Sequence, residues 1–206
     1  MRRVQRSIIQ KILLALALGL TLEPGLSCKK KTPELKEKKE KTPAKNEPAW
    51  VKKCGAAFSF AEKQESYGCG SAPVLDNKQF QLKSADERAR TDLAKNLDSF
   101  SAALFQDFLA SPAIKEKADL TESEQQEFIS SITREVTEIT LHGAQVLDRW
   151  RAPDGTVYSL LRVGFNEFEG ALKKQAAGRA AELKIDPQTA LDEVSRQIAR
   201  RRVSGK

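Results

Sequence analysis

Residues 156–165 read Thr156-Val157-Tyr158-Ser159-Leu160-Leu161-Arg162-Val163-Gly164-Phe165, and their alternation decides the fold. With a side-chain period of two, Val157, Ser159, Leu161, Val163 and Phe165 share one face of a strand. Tyr158, Leu160 and Arg162 share the other. Both faces are largely apolar, as expected of a central strand. Just upstream, Pro153-Asp154-Gly155 is a turn signal, because proline presets φ and glycine accepts a positive one. The segment before the turn, Ile139-Thr140-Leu141-His142-Gly143-Ala144-Gln145-Val146-Leu147-Asp148-Arg149-Trp150, is rich in β-branched and large apolar residues. It is expected to be the other arm of a hairpin.

Further upstream the period changes to that of a helix. Ser84-Ala85-Asp86-Glu87 has the pattern of a capping box with Ser84 as N-cap. Ala89, Leu93, Leu97, Phe100, Leu104 and Phe108 then recur at steps of three and four, and the helix is expected to end before Pro112. A second box, Thr121-Glu122-Ser123-Glu124, opens a shorter helix whose apolar face is Phe128, Ile129, Ile132 and Val136. Downstream of the central strand, Asn166 or Glu167 starts a helix carrying Phe168, Leu172, Ala176, Ala180 and Leu183. Asp186-Pro187 caps a last helix with the stripe Leu191, Val194 and Ile198. These two helices either dock on the core or project as an assembly element.

Ahead of the long helix, Trp50 to Ala72 reads as a second hairpin of weak, glycine-interrupted strands around the polar turn Glu62-Lys63-Gln64-Glu65. Glycines inside strands, here Gly68 and Gly70, mark bulges or close backbone approach. The expected class is therefore α+β. A small antiparallel sheet from two hairpins packs against one long and one shorter helix, with C-terminal helices appended.

The N-terminus carries a different signal. Arg2, Arg3, Arg6 and Lys11 precede an apolar run from Ile12 to Leu22, then the break Glu23-Pro24-Gly25. That is the layout of a bacterial secretory signal, with a core about half the roughly 20 residues a membrane-spanning helix needs. Leu22-Glu23-Pro24-Gly25-Leu26-Ser27-Cys28 resembles a lipobox, so Cys28 is expected to be the first mature residue and to carry acyl chains. The alternative is an ordinary secretory signal that leaves Cys28 as a thiol. By analogy with enteric sorting, Lys29 after the cysteine favours the outer membrane. Residues 29–48 hold eight Lys, four Glu and three Pro, with Leu35 as the sole large apolar residue. Such a stretch buries too little apolar surface to offset the entropy of ordering and reads as a charged tether. The expected organisation is a signal over 1–27, anchor and tether over 28–48, an α+β domain over 49–166 and a helical extension over 167–206.

The net charge of +7 invites a nucleic-acid reading, but its distribution removes it. The signal holds four basic groups and one acidic, and residues 28–48 hold eight and four. The remaining 158 residues carry 23 of each sign and so are neutral overall. Arg200-Arg201-Arg202 is a local exception, expected to complete the negative end of the terminal helix.

Outside the cytoplasm, Cys54 and Cys69 are left as a pair, and facing strands would bring them within bonding distance. A disulfide is the expected state; two buried thiols acting as small apolar residues are the alternative. No catalytic, metal-binding or cofactor-binding set is expected. His142 is the sole histidine, Gly68-Cys69-Gly70 lacks the context of a phosphate loop, and Glu122, Glu124 and Glu127 read as solvated.

Several stretches together resemble the LPP-twenty lipoprotein family, which includes a flagellum-associated outer-membrane branch. They are Trp50-Val51, Tyr67-Gly68-Cys69-Gly70-Ser71-Ala72, Ala89-Arg90-Thr91-Asp92-Leu93-Ala94, Leu141-His142-Gly143-Ala144, Asp148-Arg149-Trp150 and Tyr158-Ser159-Leu160-Leu161. The resemblance spans roughly residues 49–166. Cys54 and Cys69 depart from the family pattern, as a lineage-specific disulfide would. The resemblance implies a small α+β domain, surface attachment, a scaffold or adhesion role and no known activity. Two functions are therefore expected to compete. One is a lipid-anchored, non-enzymatic scaffold on the outer membrane, which self-associates or binds a protein partner and contacts lipid through acylated Cys28. The other is a periplasmic or surface module binding a cell-wall or envelope ligand. Aromatic residues are 6% of the chain, and Trp50 and Trp150 read as core strand residues, which disfavours a sugar-stacking surface. An open sheet edge or exposed apolar patch would favour the scaffold, a pocket with convergent polar groups the module.

Overall fold

The computed structural model describes residues 46–57 and 65–204. Cys28, the signal over 1–27 and the tether up to residue 45 lie outside the described residues. The order is a short helix α1 (Trp50–Lys53), a 3-10 turn (Cys54–Ala57), β1 (Glu65–Ala72), α2 (Lys78–Ala110), α3 (Pro112–Lys115) and α4 (Glu122–His142). Then follow β2 (Gln145–Arg151), β3 (Val157–Gly164), α5 (Phe165–Gly178), a second 3-10 turn (Ala180–Leu183) and α6 (Pro187–Ser204). The fold is α+β, with one antiparallel sheet in the order β1-β3-β2.

β3 is the central strand, as its two apolar faces require. Leu161 and Val163 enter the main core beneath the helices, while Leu160 packs with Trp50 and Tyr67 on the opposite face. Ser159, on the helix-facing side, is fully buried, and its hydroxyl donates to Asp86 at 2.7 Å. β2 and β3 form the expected hairpin, and Gly155 takes φ +83° in its turn. Val146 faces Leu161 and Asp148 faces Leu160, so Leu147 is an extra, bulged residue.

The first segment differs from the expected hairpin. Trp50 lies on a short helix, and Cys54 ends it with φ +46°. The rest of that expected arm and its turn, residues 58–64, lie outside the described residues. Against the glycines of β1, α2 lies backbone to backbone. A β-carbon on Gly68 would stand 2.3 Å from the Ala89 carbonyl oxygen, and one on Gly70 would stand 2.2 Å from the Ala89 nitrogen. Ala85 and Ala89, both fully buried, are the small residues on the helix side of that approach. The Gly-x-Gly signal for close approach thus has a helix as its partner.

Helix boundaries also shift. α2 starts at Lys78, with Asn77 Oδ1 accepting from the Phe80 N–H at 3.0 Å, so Ser84 is an interior residue and not the cap. α4 starts at its expected box, Thr121 and Glu124 each accepting the other's backbone N–H. It continues to His142, through Ile139-Thr140, where a strand was expected. The Thr140 hydroxyl donates to the Val136 carbonyl one turn back at 2.7 Å, which suits this β-branched residue to a buried helical position. α6 begins at Pro187, with Asp186 accepting from the Thr189 N–H at 2.9 Å.

The main core runs through the junction at 166. It joins Leu93, Leu97, Leu104, Phe105 and Phe108 of α2 to α4, to Phe168 and Leu172 of α5, and to Val194 and Ile198 of α6. The two C-terminal helices are therefore docked. Arg201 and Arg202 stand in the last turn of α6, as expected, and also tie it down. Arg201 donates to the Ala103 carbonyl and pairs with Asp107. Arg202 pairs with Glu169 at 2.9 Å and stacks over Phe165 at 4.1 Å from the ring centre.

Candidate functional site

The two outer strands of the sheet present edges of opposite character. Along β1 the pairing register alternates, so the backbone groups of Tyr67, Cys69 and Ser71 point away from β3. α2 supplies partners for three of these groups. Asn96 Nδ2 donates to the Tyr67 carbonyl at 3.0 Å, and Asp92 Oδ2 accepts from the Cys69 N–H at 2.9 Å. The Arg88 guanidinium donates to the Ser71 carbonyl. Because Gly68 and Gly70 bring the helix backbone so close, side chains one ridge over reach past the strand. Beyond the strand end, Gln81 Nε2 donates to the carbonyls of Pro73 and Gly155 at 2.8 and 2.9 Å, linking the β1 exit to the hairpin turn.

Cys54 and Cys69 are joined by a disulfide on the same side of the molecule. It bridges a helical turn to a strand, where the sequence had suggested two facing strands. Tyr67, next to it, donates to Glu65 at 2.6 Å. Burial, then the carboxylate of Glu65, push the Tyr67 phenol up to about 12.

β2 is the opposite case. None of its residues is buried, and Val146 and Leu147 are 38% and 40% exposed. Its polar side chains turn back onto the domain. Asp148 accepts from the Trp50 indole N–H at 2.9 Å and from the Arg149 N–H at 2.8 Å. Arg149 makes a two-point contact with Asp86, at 3.0 and 2.7 Å. Burial raises the Asp86 carboxyl, but the bonds from Arg149 and Ser159 outweigh it and hold the group below its ordinary range. The same contact raises the Arg149 guanidinium. Arg151 donates to Gln81 Oε1 and the Gly155 carbonyl, and no carboxylate pairs with it among the described residues.

Register directs the backbone groups of Val146, Arg149 and Arg151 away from β3. Among the described residues the Arg149 N–H alone has a side-chain partner there. The remaining groups form an open edge of the kind that accepts another strand. Trp150 is half-buried, tilted against Tyr158 at 5.6 Å between ring centres, and closes the strand's far face.

Other candidates gather no chemistry. His142 is the exposed last residue of α4 and not a strand residue. Glu122, Glu124 and Glu127 are exposed. Among the described residues no group of three His, Cys, Asp or Glu could hold a metal, and no helix is long and apolar enough to cross a membrane. A groove of about 640 Å³ runs between α2 and α4, lined by Asp98, Ile129, Arg134, Thr137 and Glu138 among others. The Thr137 hydroxyl donates to Asp98 at 2.6 Å, so these two polar groups satisfy each other.

The roles of Asp86, Asp92 and Asn96 were not read from the sequence. Asp92 and Asn96 are four apart on α2, one turn from the stripe, but their partners are backbone atoms of a strand more than 20 residues away. No family model matches this chain, and no curated protein matches it in sequence.

Proposed function

We propose that this chain is a lipid-anchored, non-enzymatic lipoprotein of the bacterial outer membrane, acting as a structural or assembly scaffold whose docking surface is the β2 edge. The observation that carries the reading is the contrast between the two edges. α2 side chains bond three outward groups of β1, on Tyr67, Cys69 and Ser71, while β2 has no helix on its edge among the described residues and leaves Val146 and Leu147 exposed. An uncovered edge invites pairing, and here a bulge at Leu147 and charged side chains interrupt it without a helix covering it among the described residues. The anchor rests on Cys28 and the signal before it, and the tether over 29–48 would let the docked domain stand away from headgroups. The resemblance to the LPP-twenty family supports the same placement, with Trp50-Val51 leading a short helix where that family has a strand.

The test is intact mass of the chain extracted from its native membranes, followed by native electrophoresis of the extract. A mature chain beginning at Cys28 with added acyl mass, migrating within a larger assembly, is the expected result. An unlipidated, freely soluble monomer would reject the proposal.

A further inference from the structure

The open edge has a chemistry that narrows its partner. This inference rests on the scaffold reading and names the kind of partner the edge takes. Arg149 is neutralised by Asp86, and Asp148 is held by Trp50. Arg151 is left as a cation without a carboxylate among the described residues, at the end of the edge nearest the hairpin turn. Val146 lies near the opposite end, and its side chain shares the helix-facing side of the sheet with Arg151. Across the ladder, Leu161 faces Val146 and Val157 faces Arg151, so the bulge at Leu147 leaves three positions between them on a paired strand.

We propose that the β2 edge takes up one extended strand of a partner protein, bearing a carboxylate opposite Arg151 and an apolar residue opposite Val146. Main-chain bonds to the open edge supply affinity, and the two side-chain positions supply selectivity. In an antiparallel partner the two residues would read acidic-x-x-x-apolar. A second copy of this chain fits less well. Pairing β2 with itself about Asp148 sets that carboxylate against its twin, and pairing about Arg149 does the same with two guanidinium groups. Like charges directly opposite are unfavourable.

The experiment titrates the purified mature chain into a fluorescent peptide, Thr-Glu-Thr-Thr-Thr-Val-Thr-Lys, and follows anisotropy. Saturable binding is expected. Replacing the peptide Glu by Lys should weaken it about tenfold, and Arg151→Glu in the chain should reverse that preference. N-methylation of alternate peptide amides, which removes main-chain donors without altering side chains, should abolish binding. Absence of saturable binding overturns the inference, as does equal binding of the Glu and Lys peptides. Dimerisation of the chain that Val146→Pro abolishes would overturn it in favour of self-pairing. Native electrophoresis of membrane extracts separates this failure from failure of the scaffold reading. A Val146→Pro chain that remains in its assembly overturns β2 as the docking surface and leaves the anchored scaffold standing, whereas a wild-type chain found only as a monomer rejects the scaffold.

Discussion

β1 and β2 are strands of nearly equal length, eight and seven residues, flanking the same central strand. A helix caps outward groups of one, and the other is open among the described residues. The difference begins with two residues. Gly68 and Gly70 have no side chains, so α2 approaches β1 until Asp92, Asn96 and Arg88 reach its outward backbone groups. β2 has no glycine and no helix beside its outer edge among the described residues. Its side chains instead turn inward to Asp86, Trp50 and Gln81, which stiffens the strand while leaving its backbone exposed. Edge protection in this molecule is thus a matter of how near a helix can come, and nearness is set by side-chain volume.

The largest way to break that contrast is Gly70→Val. The new β-carbon would stand 2.2 Å from the Ala89 nitrogen and 2.4 Å from the Ala85 carbonyl oxygen, atoms of a helix backbone that cannot step aside. Overpacking of this kind should cost about 3 kcal/mol or more, read from the midpoint of urea unfolding. Wild-type stability in that variant would show that the strand and helix do not touch.

Removing the staple beside the same edge is comparable in size. Cys54 and Cys69 are 15 residues apart, and closing a loop of that length in the unfolded chain is worth about 3 kcal/mol. Reduction, or the double change Cys54→Ser and Cys69→Ser, should lower the melting temperature measured by circular dichroism, while leaving the β2 edge unaffected.

Tyr67 sharpens the β1 side through pH. Its folded phenol is raised to about 12 against an ordinary value of 10. A raised value means that folding favours the protonated form, so this contribution is fully present below pH 10. It is lost as pH climbs from 10 towards 12, amounting to at most about 3 kcal/mol. The slope of unfolding free energy against pH in that window should flatten in Tyr67→Phe.

Asp92→Ala should cost about 1–2 kcal/mol, since it strips the charged acceptor from the Cys69 N–H. It should also open the β1 edge to exchange with solvent. The smallest expected change in stability is Val146→Pro, under about 1 kcal/mol, because that N–H points outward and proline is tolerated at an edge. Its effect should fall on partner docking. A large loss of stability there would mean that the β2 edge is already paired.

How much of this was legible in the sequence depended on whether the signal was local. The apolar faces of 157–163 identified the central strand, and Thr121 with Glu124 fixed a helix start, because each signal lies within one element. The start of α2 was missed by seven residues, Asn77 and not Ser84 being its cap. Lys78-Gln79-Phe80-Gln81 carries no apolar stripe, and Asn77 caps it without an acidic residue in the first turn. The end of α4 was missed because Ile139 and Thr140 favour strands on propensity, and only the Thr140 bond to Val136 accommodates the hydroxyl in a helix. Residues 50–57 have too few positions for any period to emerge. The edges were beyond reach altogether, since the partners of Asp92, Asn96 and Asp86 are fixed by tertiary packing.

The most direct test of the edge contrast is site-resolved amide hydrogen exchange on the isolated chain, comparing Cys69 with Arg151. Both amides face outward from the same three-stranded sheet. The account predicts slow exchange at Cys69, whose N–H is held by Asp92, and exchange faster by orders of magnitude at Arg151. Equal protection of the two amides would contradict it, because β2 would then be covered and would have no edge to offer.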